Sequence, residues 1–582
     1  MPPLEGEERK AADATERIVV LFMQNNSFNK LFGLWGDVEG EDVDGIANAT
    51  KASLTQVNQD GKPISCALMN DVNLAPGQLA GPAECKDKTG VKADLYAAYE
   101  SPYDMAPFLL DEPLPAGAVT CPFPGTEIDN GTPANSSGAQ AGGCSRDLVH
   151  RFYQEQYQLN DGKQNRYAVG SDAAGLVMGH YDTRQMQVYK YLTGDDAPKY
   201  AVADRFFGGV FGGSYANGQW LISATLPEWT EAPDAMYSVL DENGMPASQT
   251  PADGTTLGEY NYYLSPQADT VHDGQLTQKC DTIPDPDLLC GAYTVNTTYG
   301  VQWPYAPWSK PEQRIPLFTH DNIGSRLNDA GIDWAWYSGG WANANGYQDM
   351  PGWTNGDKPI TRAYFDSGNG EELSNPSGCP DVTADPSATW PQCPDADFQY
   401  HHQSFNYFYD WSESTPETSA NREANLRDIA EWFPLTEGDA CQLKPVSFVQ
   451  EIGETNQHPG YASAYVGDEQ IASVLKAIYG GPCAKGTLTI VTYDEFGGAW
   501  DHVPPPGQGA QTPGASDKFG PGTRIPSLIV SSELPRSGVD STTYDLASVI
   551  STITSKYDLE PINSRDAQQA PVWKAWSELA SG

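Results

Sequence analysis

The strongest constraint on the fold is a set of short segments that are apolar at nearly every position. Residues 18–23 are IVVLFM, residues 446–450 are VSFVQ and residues 487–493 are TLTIVTY. A strand of this kind has both faces buried, which is typical of a parallel sheet. Because helical patterns alternate with these strands in the last third of the chain, we predict an α/β fold with a large, mostly parallel central sheet and helices on both faces.

Weaker patterns predict the remaining elements. Asp545 is a plausible N-cap for a helix over residues 545–557. We expect helices near residues 27–32, 147–192, 215–224, 322–330 and 468–479, and strands at residues 332–337 and 525–531.

The domain organisation is expected to be simple. Residues 1–16 are predicted to form a flexible lead-in, and residues 17–582 a single catalytic domain. Gly, Pro, Asn and Cys are frequent near residues 40–145 and 226–316, which we therefore interpret as loop-rich insertions.

The ten cysteines fall into neighbouring pairs along the chain, and none forms a CxxC pair of the zinc type. Five local disulfides would require an oxidising compartment, so we expect a secreted or periplasmic protein whose export signal is absent from this sequence. The expected pairs are Cys66 with Cys85, Cys121 with Cys144, Cys280 with Cys290, Cys379 with Cys393, and Cys441 with Cys483.

The large negative net charge of the chain restricts the kinds of partner that it can bind. The formal net charge of −43 would repel nucleic acid and anionic membranes. No stretch approaches the 18 apolar residues that a membrane-spanning helix needs, so we expect no stable membrane insertion.

Polar residues follow three of the apolar strands. Gln24 and Asn25 come after the first, Glu451 and then His458 after the second, and the pair Asp494–Glu495 after the third. Ligands of open parallel sheets bind beyond the carboxyl ends of the strands. Adjacent carboxylates raise each other's pKa, and a bound cation removes that cost. Hard oxygen ligands favour Mg²⁺, Ca²⁺ or Mn²⁺.

A cluster of glycines at residues 208–213 precedes Ser214 in the segment FGGSYAN. Glycine allows close approach of the backbone to a ligand, and a helix start favours an anion. His401 and His402 form a doublet that, in an extended segment, would direct one ring to each face. His150, His402 and His458 are candidates only in combination.

Taken together, these motifs resemble the acid phosphatase/phospholipase C phosphoesterase family of the alkaline-phosphatase-like superfamily. The ordered blocks that carry the resemblance are IVVLFMQNNSFNKLFG (18–33), DLVHRFYQEQYQLN (147–160), SDAAGLVMGHYDT (171–183), FGGSYAN (211–217), WAWYSGGW (334–341), HHQSFNYF (401–408), NQHPGYAS (456–463) and VTYDEFGGAWDHVPPP (491–506).

The resemblance implies an alkaline-phosphatase-like fold and one divalent metal ion (Ca, Mg, Mn or Zn). The implied metal ligands are Gln24, Asn25, Ser214, Asp494 and Glu495. It also implies Ser214 as nucleophile and His150, His402 and His458 as catalytic groups, with His401 and Asn217 as substrate-binding residues.

This sequence differs from the family pattern by having amides at three positions that are usually acidic: Gln24, Asn29 and Gln457. A site with Gln24 has one fewer negative charge, so we expect it to hold a divalent ion less tightly.

The resulting functional prediction is a secreted, metal-dependent phosphomonoesterase that forms a phosphoserine intermediate on a small phosphate ester. Three alternatives remain open: a phospholipase C acting on phospholipid headgroups, a metal-independent serine hydrolase or transferase on a non-phosphate substrate, and a catalytically impaired binding homologue.

Overall fold

The structure is a computed structural model, and it describes residues 3–59, 61–64, 106–111, 114–122, 139–171, 173, 175–247, 271–306, 309–353, 398–509 and 512–581. The predicted disulfides Cys66–Cys85 and Cys379–Cys393 lie outside these residues. The three predicted pairs within them are confirmed: Cys121–Cys144, Cys280–Cys290 and Cys441–Cys483.

An eight-stranded sheet forms the centre of the fold, in the order β11-β10-β12-β1-β13-β14-β8-β15. Its strands are β1 (Arg17–Met23), β8 (Tyr200–Ala203), β10 (Trp334–Ser338), β11 (Leu426–Asp428), β12 (Val446–Gln450), β13 (Thr487–Tyr493), β14 (Ser527–Val530) and β15 (Gly538–Asp540). Only β14 runs antiparallel to its neighbours, so the predicted mostly parallel sheet is confirmed.

The remaining strands pair outside this sheet. They are β2 (Asp37–Val38), β3 (Glu41–Asp42), β4 (Phe108–Leu109), β5 (Val119–Pro122), β6 (Ala139–Ala141), β7 (Gly179–His180), β9 (Phe206–Phe207) and β16 (Tyr544–Asp545).

Helices lie between and around the strands. They are α1 (Gly6–Ala14), α2 (Phe28–Phe32), α3 (Lys51–Leu54), α4 (Phe152–Leu159), α5 (Gln187–Leu192), α6 (Ser214–Ser223), α7 (Ile323–Asp329), α8 (Trp341–Asn345), α9 (Pro416–Asn425), α10 (Ala464–Tyr479), α11 (Ala547–Lys556), α12 (Ser564–Gln568) and α13 (Lys574–Ser581). Within the described part of the chain, every helix is too short or too polar to cross a bilayer.

The central strands bring the predicted site together. Every residue of β12 and β13 is buried, as expected for strands covered on both faces. β1 lies between them, and Met23 at its end is in register with Tyr493. The residues that follow β1, β12 and β13 therefore emerge at one edge of the sheet.

Two local expectations were wrong, and a third is confirmed in more detail. Residues 147–192 contain the expected helices as the short elements α4 and α5, and Asn160 and Asp161 adopt positive φ angles (48° and 53°) that end α4. The N-cap of α11 is Leu546, since Asp545 pairs in β16; its carboxylate still accepts the Ala547 N–H at 2.8 Å.

The lead-in also differs from its prediction. Instead of a flexible segment, residues 6–14 form α1, in which Ala11 and Ala12 are buried. An ion pair between Lys574 and Glu8 at 2.6 Å, and a hydrogen bond from the Ser577 hydroxyl to the same carboxylate, join this helix to α13. A short apolar face and a few surface charges were sufficient to order a segment that is otherwise polar.

Candidate active site

Asn25 is the centre of the site. It follows β1 with a left-handed φ of 47°, a conformation that Asn tolerates better than most residues. Its backbone N–H donates to Asp494 Oδ1 at 2.9 Å, and its side-chain oxygen accepts the Ser214 hydroxyl at 3.3 Å. The strand ends of β1 and β13 and the start of α6 thus meet at this one residue.

The side-chain nitrogen of Asn25 contacts two histidines. Asn25 Nδ2 lies 3.1 Å from His150 Nε2 and 2.8 Å from His458 Nε2. The Nδ1 atoms of these rings lie 2.6 Å from the carbonyl oxygens of Leu148 and Pro459. Because a carbonyl only accepts, both Nδ1 atoms carry the proton, and both Nε2 atoms accept from Asn25.

Asp494 and Glu495 are fully buried acids. Burial raises the pKa of Asp494 to about 6, opposed by hydrogen bonds from the N–H groups of Asn25 and Glu495. Burial and then the charge of Asp494 raise the pKa of Glu495 well above its usual range. Each acid keeps one oxygen, Asp494 Oδ2 and Glu495 Oε1, without a hydrogen-bond partner among the described residues.

Gln24 also has buried polar atoms without a hydrogen-bond partner among the described residues. Its side chain is fully buried, and neither of its amide atoms has a hydrogen-bond partner among the described residues. Buried polar atoms without partners are costly and require an explanation. One cation among Gln24, Asp494 and Glu495 would satisfy these oxygens and remove the carboxylate repulsion, so the residues fit the implied metal.

A second group of ligand-type side chains adjoins this one. Asp147, His150 and His458 offer ligand atoms that lie within 4.8 Å of one another. Asp147 Oδ1 is 3.4 Å from His150 Nδ1, while His150 Nε2 is 3.6 Å from Glu495 Oε1. His150 therefore connects the two groups. Sequence analysis quoted the block containing Asp147 but assigned this residue no role.

Ser214 is the first residue of α6 and is almost completely buried. The loop before it is held by Asn217, whose side chain bonds the N–H and C=O of Val210 and the C=O of Gly212. Asn217 was assigned to substrate binding from the resemblance; in the structure it is buried and shapes the loop that leads to Ser214.

The histidine doublet does not have the expected geometry. His401 and His402 lie in a 3₁₀ turn, Tyr400–His402, with ring centroids 4.5 Å apart, so the prediction of one ring on each face of an extended segment was wrong.

Both rings are held in the neutral form. Burial is the main cause that lowers the pKa of His401 to about 3, and the proximity of His150 adds to it. Burial, with His401 and His458, lowers the pKa of His402 well below its usual range. His402 Nε2 has no hydrogen-bond partner in the described ranges.

A family model described as "Phosphoesterase family" matches residues 115–560, well over half of the chain. The chain belongs to the phosphoesterase family. The matched region of this phosphoesterase includes Ser214, Asp494, Glu495 and the four histidines described above, and the recognised family resemblance is thereby confirmed.

Curated relatives match smaller parts. A non-specific phospholipase C6 of Arabidopsis thaliana is 29% identical over 144 residues, which are 22% of this chain and 28% of the relative. A non-hemolytic phospholipase C of Burkholderia pseudomallei (strain K96243) is 26% identical over 208 residues, 31% of this chain and 29% of the relative. The chain thus spans less than a third of each relative's length.

A solved structure described as Ps i-CgsB in complex with k-i-k-neocarrahexaose covers 44% of this chain and 57% of its own, with 9% identity and a TM-score of 0.20. Likeness at that level carries no argument about the fold or the site.

Proposed function

We propose that this protein is a metal-dependent phosphoric ester hydrolase that acts on small phosphomonoesters through a phosphoserine at Ser214. The observation that carries the proposal is the contact of Ser214 with Asn25, whose other atoms bond Asp494, His150 and His458. Nucleophile, buried acids and neutral histidines are thereby within reach of one phosphoryl group.

Gln24, Asn25, Ser214, Asp494 and Glu495 are the side chains that would hold the cation. When bound, a divalent ion supplies positive charge that lowers the pKa of the Ser214 hydroxyl and compensates the charge of the phosphate oxygens. We make no choice among Ca, Mg, Mn and Zn.

The reaction begins with Ser214 Oγ. Asn25 orients this hydroxyl by accepting its hydrogen, so that a lone pair is available to attack phosphorus in line. The Ser214 hydroxyl proton passes to a neutral histidine as the Ser214 O–P bond forms and the bond to the alcohol breaks. The start of α6 offers backbone N–H groups with a positive field to the phosphate oxygens.

The histidines move protons. Their neutral resting state makes Nε2 a proton acceptor, and an arriving anionic ester favours the protonated ring. A ring that has gained a proton gives it to the departing alcohol, and then takes one from the water that cleaves the phosphoserine. We assign this exchange to His458 and His402, with His150 orienting the phosphate.

Phospholipase C activity is the second candidate, because both named relatives are phospholipases C. Faster cleavage of phosphatidylcholine than of a small monoester would favour it. For either substrate the three disulfides agree with an oxidising compartment, and we propose a secreted or periplasmic location.

The test compares wild type with Ser214→Ala on p-nitrophenyl phosphate. We expect the variant to lose turnover, and wild type quenched in acid to carry one phosphoryl group at Ser214 by peptide mass. Full activity in Ser214→Ala would contradict the proposal.

A further inference from the structure

Glu155 is a buried acid with no role in the steps above. It lies in α4, five positions after His150, and is almost inaccessible to solvent. Each of its oxygens accepts a backbone N–H at 2.6 Å: Oε2 from Gly212 and Oε1 from Thr523. Both of these donors are main-chain groups, so this carboxylate holds two segments of the backbone.

The first of these segments carries the nucleophile. Gly212 lies two residues before Ser214 and has a φ of 97°, which favours glycine. A Cβ placed on Gly212 would lie 2.8 Å from the Phe152 nitrogen, and one on Gly213 would lie 3.2 Å from His150 Cδ2. The loop therefore lies directly on the start of α4.

The second segment leads to Asn25. Thr523 precedes Arg524, whose carbonyl accepts the Phe28 N–H at 3.0 Å, three residues beyond Asn25. Glu155 thus lies where the chain segments of Ser214, His150 and Asn25 converge.

We propose that Glu155 is a positioning residue that holds the Gly212 N–H and so fixes Ser214 against Asn25 and His150. This inference rests on the proposed function. Glu155 acts on Ser214 through the loop, by way of the Gly212 N–H.

The carboxylate is specifically suited to this task, because both of its oxygens must accept. Glutamine has the same shape, but it would accept only one of the two N–H groups and present an NH₂ group to the other, which leaves that N–H and the NH₂ group without a partner. Burial raises the pKa of Glu155 to about 7 against the two backbone hydrogen bonds, so the acid is retained here at an energetic cost.

Asp468 provides a matched control. This acid in α10 is also buried, and it accepts the backbone N–H groups of Gln187 and Val188 in α5. Burial raises its pKa to about 7 as well. Asp468→Asn should therefore damage folding in the same way as Glu155→Gln, without affecting the loop before Ser214.

The experiment measures kcat and KM on p-nitrophenyl phosphate, the melting temperature, and amide hydrogen exchange of residues 208–215. We expect Glu155→Gln to lower kcat by about 10²-fold, the cost of displacing a reacting group by about 1 Å, with little change in KM and faster exchange. Asp468→Asn should lower the melting temperature comparably, with kcat and exchange at residues 208–215 unchanged.

A second variant changes a neighbour of Glu155 and leaves the Glu155 side chain itself unchanged. In Gly522→Ala the new Cβ would lie 2.9 Å from Glu155 Oε1 and 3.0 Å from the Val210 carbonyl oxygen, so it displaces the acid from Thr523, leaves its charge in place and also presses on the loop before Ser214. The same changes in smaller degree would support the proposal even if Glu155→Gln does not fold.

Two results would overturn the positioning role: equal loss of kcat in Glu155→Gln and Asp468→Asn, or unchanged exchange at residues 208–215 in both Glu155→Gln and Gly522→Ala. Inactive wild type would refute the proposed function, whereas the exchange data would still decide whether Glu155 holds the loop.

Discussion

The side-chain nitrogen of Asn25 lies 2.8 Å from His458 Nε2, and this contact fixes the orientation of the whole amide. With the nitrogen committed to His458 and His150, the oxygen must face Ser214. The Asn25 side chain thereby distinguishes a donor side that faces neutral histidines from an acceptor side that faces the nucleophile.

The Asn25→Asp variant tests this division of the side chain into a donor side and an acceptor side. A carboxylate would replace the donated N–H by a second acceptor and a negative charge, so it should raise the pKa of His458 and its histidine neighbour. We expect kcat to fall by roughly 10²-fold or more, because a histidine that is already protonated can no longer take up a proton in the reaction. Histidine titration by NMR in wild type and variant measures the shift; a lowered or unchanged pKa of His458 would contradict the assigned tautomers.

Much of this arrangement was predictable from sequence. The strands Val446–Gln450 and Thr487–Tyr493 were located at their observed bounds, since fully apolar runs have few alternatives. Register then brought Gln24 and Asp494 to one edge. Hydrogen bonds made by one side chain to a distant backbone, as with Glu155 and Thr523, leave no periodic signal and were missed.

The disulfide Cys121–Cys144 should support activity as well as stability. Its chain segment is docked on the loop of His458, because Ser145 O accepts the Gly460 N–H at 2.7 Å and Gly142 O accepts the Ser463 hydroxyl at 2.7 Å. Removing a crosslink between residues 23 apart costs roughly 3 kcal/mol of unfolding free energy in the loop-entropy account.

We expect the double variant Cys121→Ala/Cys144→Ala to lose that stability in a denaturant titration and to lose most of its kcat. The matched control removes Cys441–Cys483, whose partners are 42 residues apart, and should cost about 4 kcal/mol with kcat retained. Equal effects of the two double variants on kcat would refute the local role.

Glu451, which follows β12, gives a prediction of how the free energy of unfolding depends on pH. Burial raises its pKa from 4.5 to about 7, opposed by hydrogen bonds from Gln470 and Thr455. Folding therefore favours the protonated acid, and the stability this group contributes is present below pH 4.5 and is lost as the pH rises through about 7.

Glu451→Gln resembles the protonated acid and has no such loss. On going from pH 5 to pH 8, the variant should gain about 2 kcal/mol of unfolding free energy relative to wild type, measured by urea titration. A constant difference between the two proteins across this range would contradict the buried, protonated Glu451.

The acids after β13 are expected to control metal content rather than folding. Asp494→Asn/Glu495→Gln removes both negative charges while it keeps the volume of each side chain, and it also removes the repulsion between them. We expect the variant to melt at or above the temperature of metal-free wild type, to gain no stability from added divalent ions, and to lose turnover.

Elemental analysis after dialysis against a chelator and reloading with each of Ca, Mg, Mn and Zn tests the central claim most directly. The account predicts about one divalent ion per chain in wild type and none in Asp494→Asn/Glu495→Gln. Wild-type protein that retains no ion and still hydrolyses p-nitrophenyl phosphate at full rate in EDTA would contradict it.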